Sequence, residues 1–361
     1  MILSREEFFG ALKERSALVM DIFNDERYYQ SFMPEILREA VYSYLKRPAK
    51  RFRPGVLFFS CGAVGGDEQK AQLAAAAVEV YHTWTLVHDD IIDNDSLRRG
   101  QPTVHEEFRT QAQSWGYPPK EAVDLGRSIA ILAGDLQHAW SVRLLLDLEA
   151  TGLPLPVIAD LIRRLEVDVT NGLIGGEALD VLYARRPIAE LTETDVLKML
   201  ELKTGVLYEY AGIAGASIGL QQTAVQNNLI GAIGRFAKQC GTAFQIQDDI
   251  LGLTGDEKVL GKPIDSDIRE GKRTVIALHA YHHANIKERQ LIADVLGNAE
   301  ATGADINRVK QIFNKYQGVE YAKKLAESIV SQAISELDPL PDSKYKDLLL
   351  TWAQFVVNRD F

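Results

Sequence analysis

The sequence predicts an all-α protein, and three observations carry that reading. Nearly every long segment repeats its apolar residues three and four positions apart, which is the helical period. Convincing runs of alternating apolar and polar residues, the mark of a half-buried strand, are missing. Breakers fall in a few clusters, Pro118-Pro119, Gly152-Leu153-Pro154, Gly255, Gly261-Lys262-Pro263 and Pro339-Leu340-Pro341, and leave long blocks between them. The 361 residues then read as one domain, 1–361, of more than ten helices. A four-helix bundle with additions fits the same pattern.

In chain order, residues 5–23 and 35–46 are amphipathic. Gly65-Gly66 makes a turn before a long helix expected from about Glu68 to Asp93. Its alanines, Ala71, Ala74, Ala75, Ala76 and Ala77, cost the least in a helix and let neighbouring helices approach closely. Further helical blocks are expected at 120–149, 156–182, 192–217, 224–254, 271–285, 287–297, 305–315, 318–337 and 343–358. No interdomain linker, internal repeat or low-complexity tract interrupts them.

Composition excludes several functions. With 46% hydrophobic and 25% charged residues the chain is an ordinary soluble protein. Lys and Arg number 40 against 50 Asp and Glu, a formal charge of −10, which argues against a protein that coats nucleic acid. Cys61 and Cys240, far apart, exclude a disulfide framework or zinc–thiolate site and fit a reducing cytoplasm. The charged start, Ser4-Arg5-Glu6-Glu7, lacks an apolar region after it, so no secretory leader is expected. No run of about 18 apolar residues exists to span a bilayer.

Two apolar helices carry acids at their ends. In His88-Asp89-Asp90-Ile91-Ile92-Asp93, Asp89 and Asp93 are four apart and share one face, with Asp90 about 100° around. Like charges at that spacing repel unless a cation sits between them. In Phe244-Gln245-Ile246-Gln247-Asp248-Asp249-Ile250-Leu251-Gly252 acids again close an apolar helical run. One DDxxD arises by chance often enough to be weak, and a solvated helix end is its ordinary reading. Acids at a helix C-terminus oppose the dipole, however, and two such pairs are harder to dismiss. Carboxylates suit Mg²⁺, which takes one or two of them and fills its shell with water and phosphate oxygens.

A diphosphate also needs cations. Lys50-Arg51-Phe52-Arg53-Pro54 precedes an apolar helix, and Arg98-Arg99-Gly100-Gln101-Pro102-Thr103-Val104-His105 follows Asp93 by five residues. Lys203-Thr204-Gly205 lies within a helical block, and Lys262 and Lys272 follow the second acid pair. Any one of these alone is more often a solvated surface charge. Together with two acid clusters they describe a site for phosphate groups.

In this order (KRFRP, HDDIID, RRGQPTVH, KTG, FQIQDDILG, GKP and EGKRT) the motifs resemble those of the trans-isoprenyl diphosphate synthases, the polyprenyl synthetase family, over nearly the whole chain. The resemblance implies an isoprenoid synthase fold of long helices around a deep central cavity, usually a cytoplasmic homodimer. It implies head-to-tail 1′-4 condensation of isopentenyl diphosphate with dimethylallyl, geranyl or farnesyl diphosphate. The allylic diphosphate ionises, the isopentenyl double bond attacks the cation, and a proton leaves to the released diphosphate. Asp89 and Asp93 match the first-motif Mg²⁺ ligands with Asp90 in support, Asp248 the main ligand of the second motif, and Asp249 the acid beside it. The resemblance also implies three Mg²⁺ per active site. Lys50, Arg53, His82 and Arg99 match the isopentenyl diphosphate site, and Arg98, Lys203, Lys262 and Lys272 the allylic one. Thr204 and Gln245 match residues lining the reaction centre. His82 alone would read as a satisfied core histidine, and its place before the acid motif favours the site.

Tyr81, Thr85, Asp89 and Asp93 form a row at four-residue steps, with Trp84 beside it. Core packing is one reading of these aromatics. The resemblance implies the other, a floor that stops the growing chain at C20 geranylgeranyl diphosphate, with C15 farnesyl diphosphate next. Two positions depart from the family pattern. Gly252 stands where the second motif usually ends in Asp, with Asp256 four residues on, and Glu177 stands where Gln is common. A terpene cyclase would leave KRFRP, His82 and Arg99 unexplained, and a non-catalytic synthase subunit typically loses the aspartates kept here.

Overall fold

The computed structural model describes residues 2–255 and 266–358. Among them sixteen α-helices of eight or more residues build the architecture, and the one sheet is a two-stranded antiparallel ribbon, Leu97–Arg98 with Gln101–Pro102. The all-α expectation of more than ten helices therefore holds. Among the described residues no helix is long and apolar enough to cross a membrane.

Several predicted blocks differ in their ends, for identifiable reasons. The block expected at 35–46 is helical only over Glu35–Tyr42. The run at 156–182 is Leu155–Arg163 and Thr170–Arg185 joined by a π-helical turn, Arg164–Val169. The run at 192–217 is interrupted the same way at Glu201–Gly205. A π turn inserts one residue and shifts the helical phase, a distortion found most often at functional sites. Helix Val104–Ser114 was not predicted, because its buried side is only Val104, His105, Phe108 and Ala112 in a polar sequence. The ribbon escaped as well. Its turn residues Arg99 (φ 55°) and Gly100 (φ 72°) are both left-handed, the combination of a tight I′ hairpin.

The chain divides into two compact units. The first comprises Met1–Arg163, Ala211–Gly231 and Leu340–Leu349, and the second Arg164–Tyr210, Ala232–Pro339 and Leu350–Phe361. In the first, helix Gln72–Ile92 packs along helix Pro119–Leu146 and against Arg5–Phe23 and Phe52–Ala63. Its alanines at 74–77 are completely buried, the close approach that small side chains permit. A Cβ at Gly215, on helix Val206–Leu220, would lie 2.0 Å from the Leu57 carbonyl oxygen. Gly215→Ala is expected to cost about 1–3 kcal/mol through overpacking. Urea denaturation checks it, and an unchanged midpoint would mean that the two helices can move apart freely.

In the second unit Trp352 closes the core, its ring centroid 5.2 Å from Tyr208 and 5.8 Å from Phe236. Helix Val275–His283 packs on Gly318–Ser335, and the π turn Glu201–Gly205 packs on Thr170–Arg185.

Candidate active site

The first unit gathers the first acid motif and its cations. Helix Gln72–Ile92 ends at its C-cap, Asp93, one turn after Asp89. Asp90 lies on another side of the helix and is fully buried. It accepts a short hydrogen bond from the Tyr44 hydroxyl on one oxygen, and on the other it binds Arg98 through Nη2 and, at 2.8 Å, through Nε. Burial pushes the Asp90 carboxyl up, while Arg98 and Tyr44 pull it back toward the charged form. Arg98 Nη2 also stands 3.3 Å from Asp89 Oδ2 and 3.7 Å from Asp95 Oδ2. Asp89 and Asp93 are half-buried.

The KRFRP segment places its three cations at different depths. Arg51, left-handed at φ 49°, opens helix Phe52–Ala63 and is buried, binding the Leu45 carbonyl at 2.9 Å and pairing with buried Glu79 at 3.5 Å. Its neighbours Lys50 and Arg53 are exposed and half-buried respectively. Arg53 Nη1 lies 3.0 Å from His82 Nε2. Burial, then the positive charge of Arg53, lowers the His82 pKa well below its usual value. The ring is therefore neutral and accepts from Arg53, its own proton on Nδ1. Arg99 at the ribbon turn donates to the Pro48 carbonyl at 3.1 Å, which ties the RRG turn to the segment before Lys50.

The second unit carries the second motif on helix Asn228–Thr254. Thr204, in the π turn, donates to Gln245 Oε1 at 3.0 Å, and Gln245 reaches Asp249 at 3.4 Å. Asp249 is buried, and burial followed by the charge of Asp267 raises its pKa to about 8. Asp248 is half-buried. Lys203, beside Thr204, binds Asp180 at 2.7 Å and Glu177 at 2.8 Å, so the acid in place of the family's Gln is an ion-pair partner. A Cβ on Gly252 would lie 2.8 Å from Asp267 Oδ2. The Asp267 carboxylate thus occupies the space that a side chain at position 252 would enter. Lys272 stands 3.8 Å from Asp267 and 3.0 Å from Glu270. Lys262 and Asp256 lie outside the described residues.

The aromatic pair below Asp89 meets the neighbouring helix. Tyr81 is fully buried and Trp84 nearly so, with ring centroids 4.9 Å apart. His138, on helix Pro119–Leu146, lies 4.5 Å from Trp84 and 5.8 Å from Tyr81. Trp84 Nε1 donates to His88 Nδ1 at 3.2 Å, which leaves the His88 Nε2–H facing the Ile131 carbonyl at 3.2 Å. Gly134 permits this contact, since a Cβ there would be 2.2 Å from His88 Nε2. Thr85 is turned to its own helix, donating to the His82 carbonyl at 2.8 Å.

Sequence reasoning missed Tyr44, Asp180, Asp267 and His138. Asp180 follows Glu177 by three residues and Asp267 precedes Lys272 by five, spacings that offered a signal. Tyr44 and His138 offered none.

The donor set fits Mg²⁺. At the first motif Asp89, Asp90, Asp93 and Asp95 crowd one helix end, where the dipole already disfavours negative charge, and Arg98 is the cation bound to three of them. Among the described residues no three acids, histidines or cysteines are grouped to enclose a metal by themselves.

Residues 34–315 match the polyprenyl synthetase family. The geranylgeranyl diphosphate synthase of Saccharolobus solfataricus is 36% identical over 329 residues, which cover 90% of each chain. The crystal structure of a geranylgeranyl pyrophosphate synthetase from Pyrococcus horikoshii is similar at a TM-score of 0.82 and 34% identity, over 98% of this chain and 99% of that one. A geranylgeranyl pyrophosphate synthase from Corynebacterium glutamicum, complexed with isoprenyl diphosphate and magnesium, is similar at a TM-score of 0.84 and 26% identity, over 99% of this chain and 100% of that one. The order of the motifs, the fold and these relatives agree: the chain belongs to the polyprenyl synthetase family.

Proposed function

We propose that this prenyltransferase condenses isopentenyl diphosphate with dimethylallyl, geranyl and farnesyl diphosphates in turn and stops at C20 geranylgeranyl diphosphate. The observation that carries the reading is the first acid cluster, four aspartates at the end of one apolar helix with Arg98 among them. Bound Mg²⁺, three ions per active site, supplies charge neutralisation of the departing diphosphate. Asp89, Asp93 and Asp248 are the groups that hold it. Arg98, Lys203, Lys262 and Lys272 bind the allylic diphosphate, and Lys50, Arg53, His82 and Arg99 bind isopentenyl diphosphate. Neutral His82 keeps one face of Arg53 occupied and so fixes the direction of its remaining donors. Thr204 and Gln245 present a fixed dipole to the cationic reaction centre, and Asp249 stays behind them as their anchor.

The chain acts as a single catalytic domain in the cytoplasm, and as a homodimer. Ile131, Leu132 and Leu146 are exposed apolar side chains on helix Pro119–Leu146, at 45%, 47% and 55% exposure, which contact between two copies would cover. Incubating the purified protein with Mg²⁺, isopentenyl diphosphate and each starter, then separating the dephosphorylated products, tests the reaction and the length together. Hydrocarbon from farnesyl diphosphate alone would instead indicate a cyclase.

The basic residues divide into two sets, and the sets should separate kinetically. Lys50→Ala or Arg53→Ala is expected to raise the KM for isopentenyl diphosphate far more than for the allylic substrate. The lost charge-assisted contact is worth about 1.5–3 kcal/mol. Equal effects on both substrates in steady-state assays would overturn the partition.

A further inference from the structure

The geometry points to Tyr44 as a positioning residue: its hydroxyl holds buried Asp90, and Asp90 holds Arg98 beside the first-motif acids. Asp90 is completely buried, and its bonds are divided between its two oxygens. Oδ1 takes Nε and Nη2 of Arg98, and Oδ2 takes the Tyr44 hydroxyl. A carboxylate so placed has no water to replace a lost donor, so removing one hydroxyl leaves Oδ2 unsatisfied in the interior. The carboxylate then turns toward another donor, and the change loosens its grip on Arg98.

Tyr44 has a fixed job because its other contacts leave one choice. Its oxygen accepts the backbone N–H of Val104, the first residue of helix Val104–Ser114, at 3.2 Å. A phenol has one proton to give, and with an N–H already pointing at the oxygen that proton goes to Asp90. The ring is held by the Arg47 guanidinium 4.5 Å from its centroid. Tyr44 follows the early end of helix Glu35–Tyr42, so the turn that cut that helix short is what brings the phenol to the motif. The chain of contacts therefore runs from that turn through the motif helix to the ribbon strand bearing Arg98. It ends with Arg98 3.3 Å from Asp89.

The kinetic consequence rests on the reading above that Arg98 binds the allylic diphosphate. Tyr44→Phe keeps the ring and removes only the hydroxyl. It is expected to raise the KM for the allylic diphosphate about tenfold and to change that for isopentenyl diphosphate less than about twofold. In an Arg98→Gln background the same substitution should add nothing, since its whole effect passes through Arg98. A full tenfold effect persisting in that background would overturn the proposal. A direct readout needs no activity: the Arg98 Nε–H signal, assigned by its loss in Arg98→Gln, should exchange slowly with solvent in the wild type and rapidly in Tyr44→Phe. An unchanged exchange rate overturns the positioning role. Rapid exchange with unchanged allylic KM in both variants upholds it and rejects Arg98 as the diphosphate contact. Should Tyr44→Phe fail to fold, Asp90→Asn, which keeps the shape and loses the charge, carries the same exchange test.

Discussion

Asp89→Ala, and separately Asp93→Ala, is expected to lower turnover by about a thousandfold or more while the protein remains folded. The reason is where the charge is needed. Ionisation of an allylic diphosphate places negative charge on the departing group, and stabilisation aimed at that charge is usually the largest single contribution to such a reaction. Neither side chain is part of the apolar core, since both are half-buried at the end of helix Gln72–Ile92, so packing is largely spared. Removing Asp89 also relieves the repulsion among Asp89, Asp90 and Asp95, and Arg98 keeps two of its three acids. The melting temperature should therefore stay close to that of the parent. Single-turnover assays over a range of Mg²⁺ concentrations, with circular dichroism as the folding check, measure both halves. Turnover near the parental rate at saturating Mg²⁺ would show that Asp89 is not a metal ligand.

The sequence made the first acid motif legible because like charges four apart on an apolar helix repel unless a cation offsets them, and the second because a pair of acids closes another strongly apolar helical run. It did not distinguish the acids within a motif. Asp89 and Asp90 differ by one position, yet one is half-buried and the other is locked in the interior by Tyr44 and Arg98. That difference depends on a tyrosine far upstream and an arginine on a hairpin, neither of which local periodicity reports. The KRFRP segment shows the same limit: its three cations look alike in sequence, and only the structure shows Arg51 turned inward to Glu79. The π turn at Glu201–Gly205 looks like plain helix in the sequence because a one-residue insertion leaves the apolar spacing nearly intact. It nevertheless sets Thr204 against Gln245. Gly252 was an open departure, and a carboxylate from Asp267, fifteen positions along the chain, stands at its α-carbon.

Trp84→Ala, alone or with Tyr81→Ala, is expected to shift the product distribution from C20 to longer chains. Along the helix axis Trp84 lies about 7.5 Å and Tyr81 about 12 Å before Asp89, at 1.5 Å per residue. Helical phase alone does not aim Trp84 at a growing chain, because it sits well around the helix from Asp89. Its partners supply the missing argument. The indole Nε1–H is bonded to His88, and the ring meets His138 at 4.5 Å and Tyr81 edge-on at 4.9 Å. A ring held by two histidines has little freedom to swing aside, which is what a stop for further isoprene units requires. His138→Ala should lengthen products as well, but less, because it removes one wall and leaves the indole in place. Truncating a buried tryptophan costs about 3–5 kcal/mol, so each variant needs a melting curve beside its product profile. Chromatography of the dephosphorylated products decides the matter. A double variant, Trp84→Ala with Tyr81→Ala, that stays folded and still stops at C20 would place the floor on other residues, and these aromatics would then be ordinary packing between two helices.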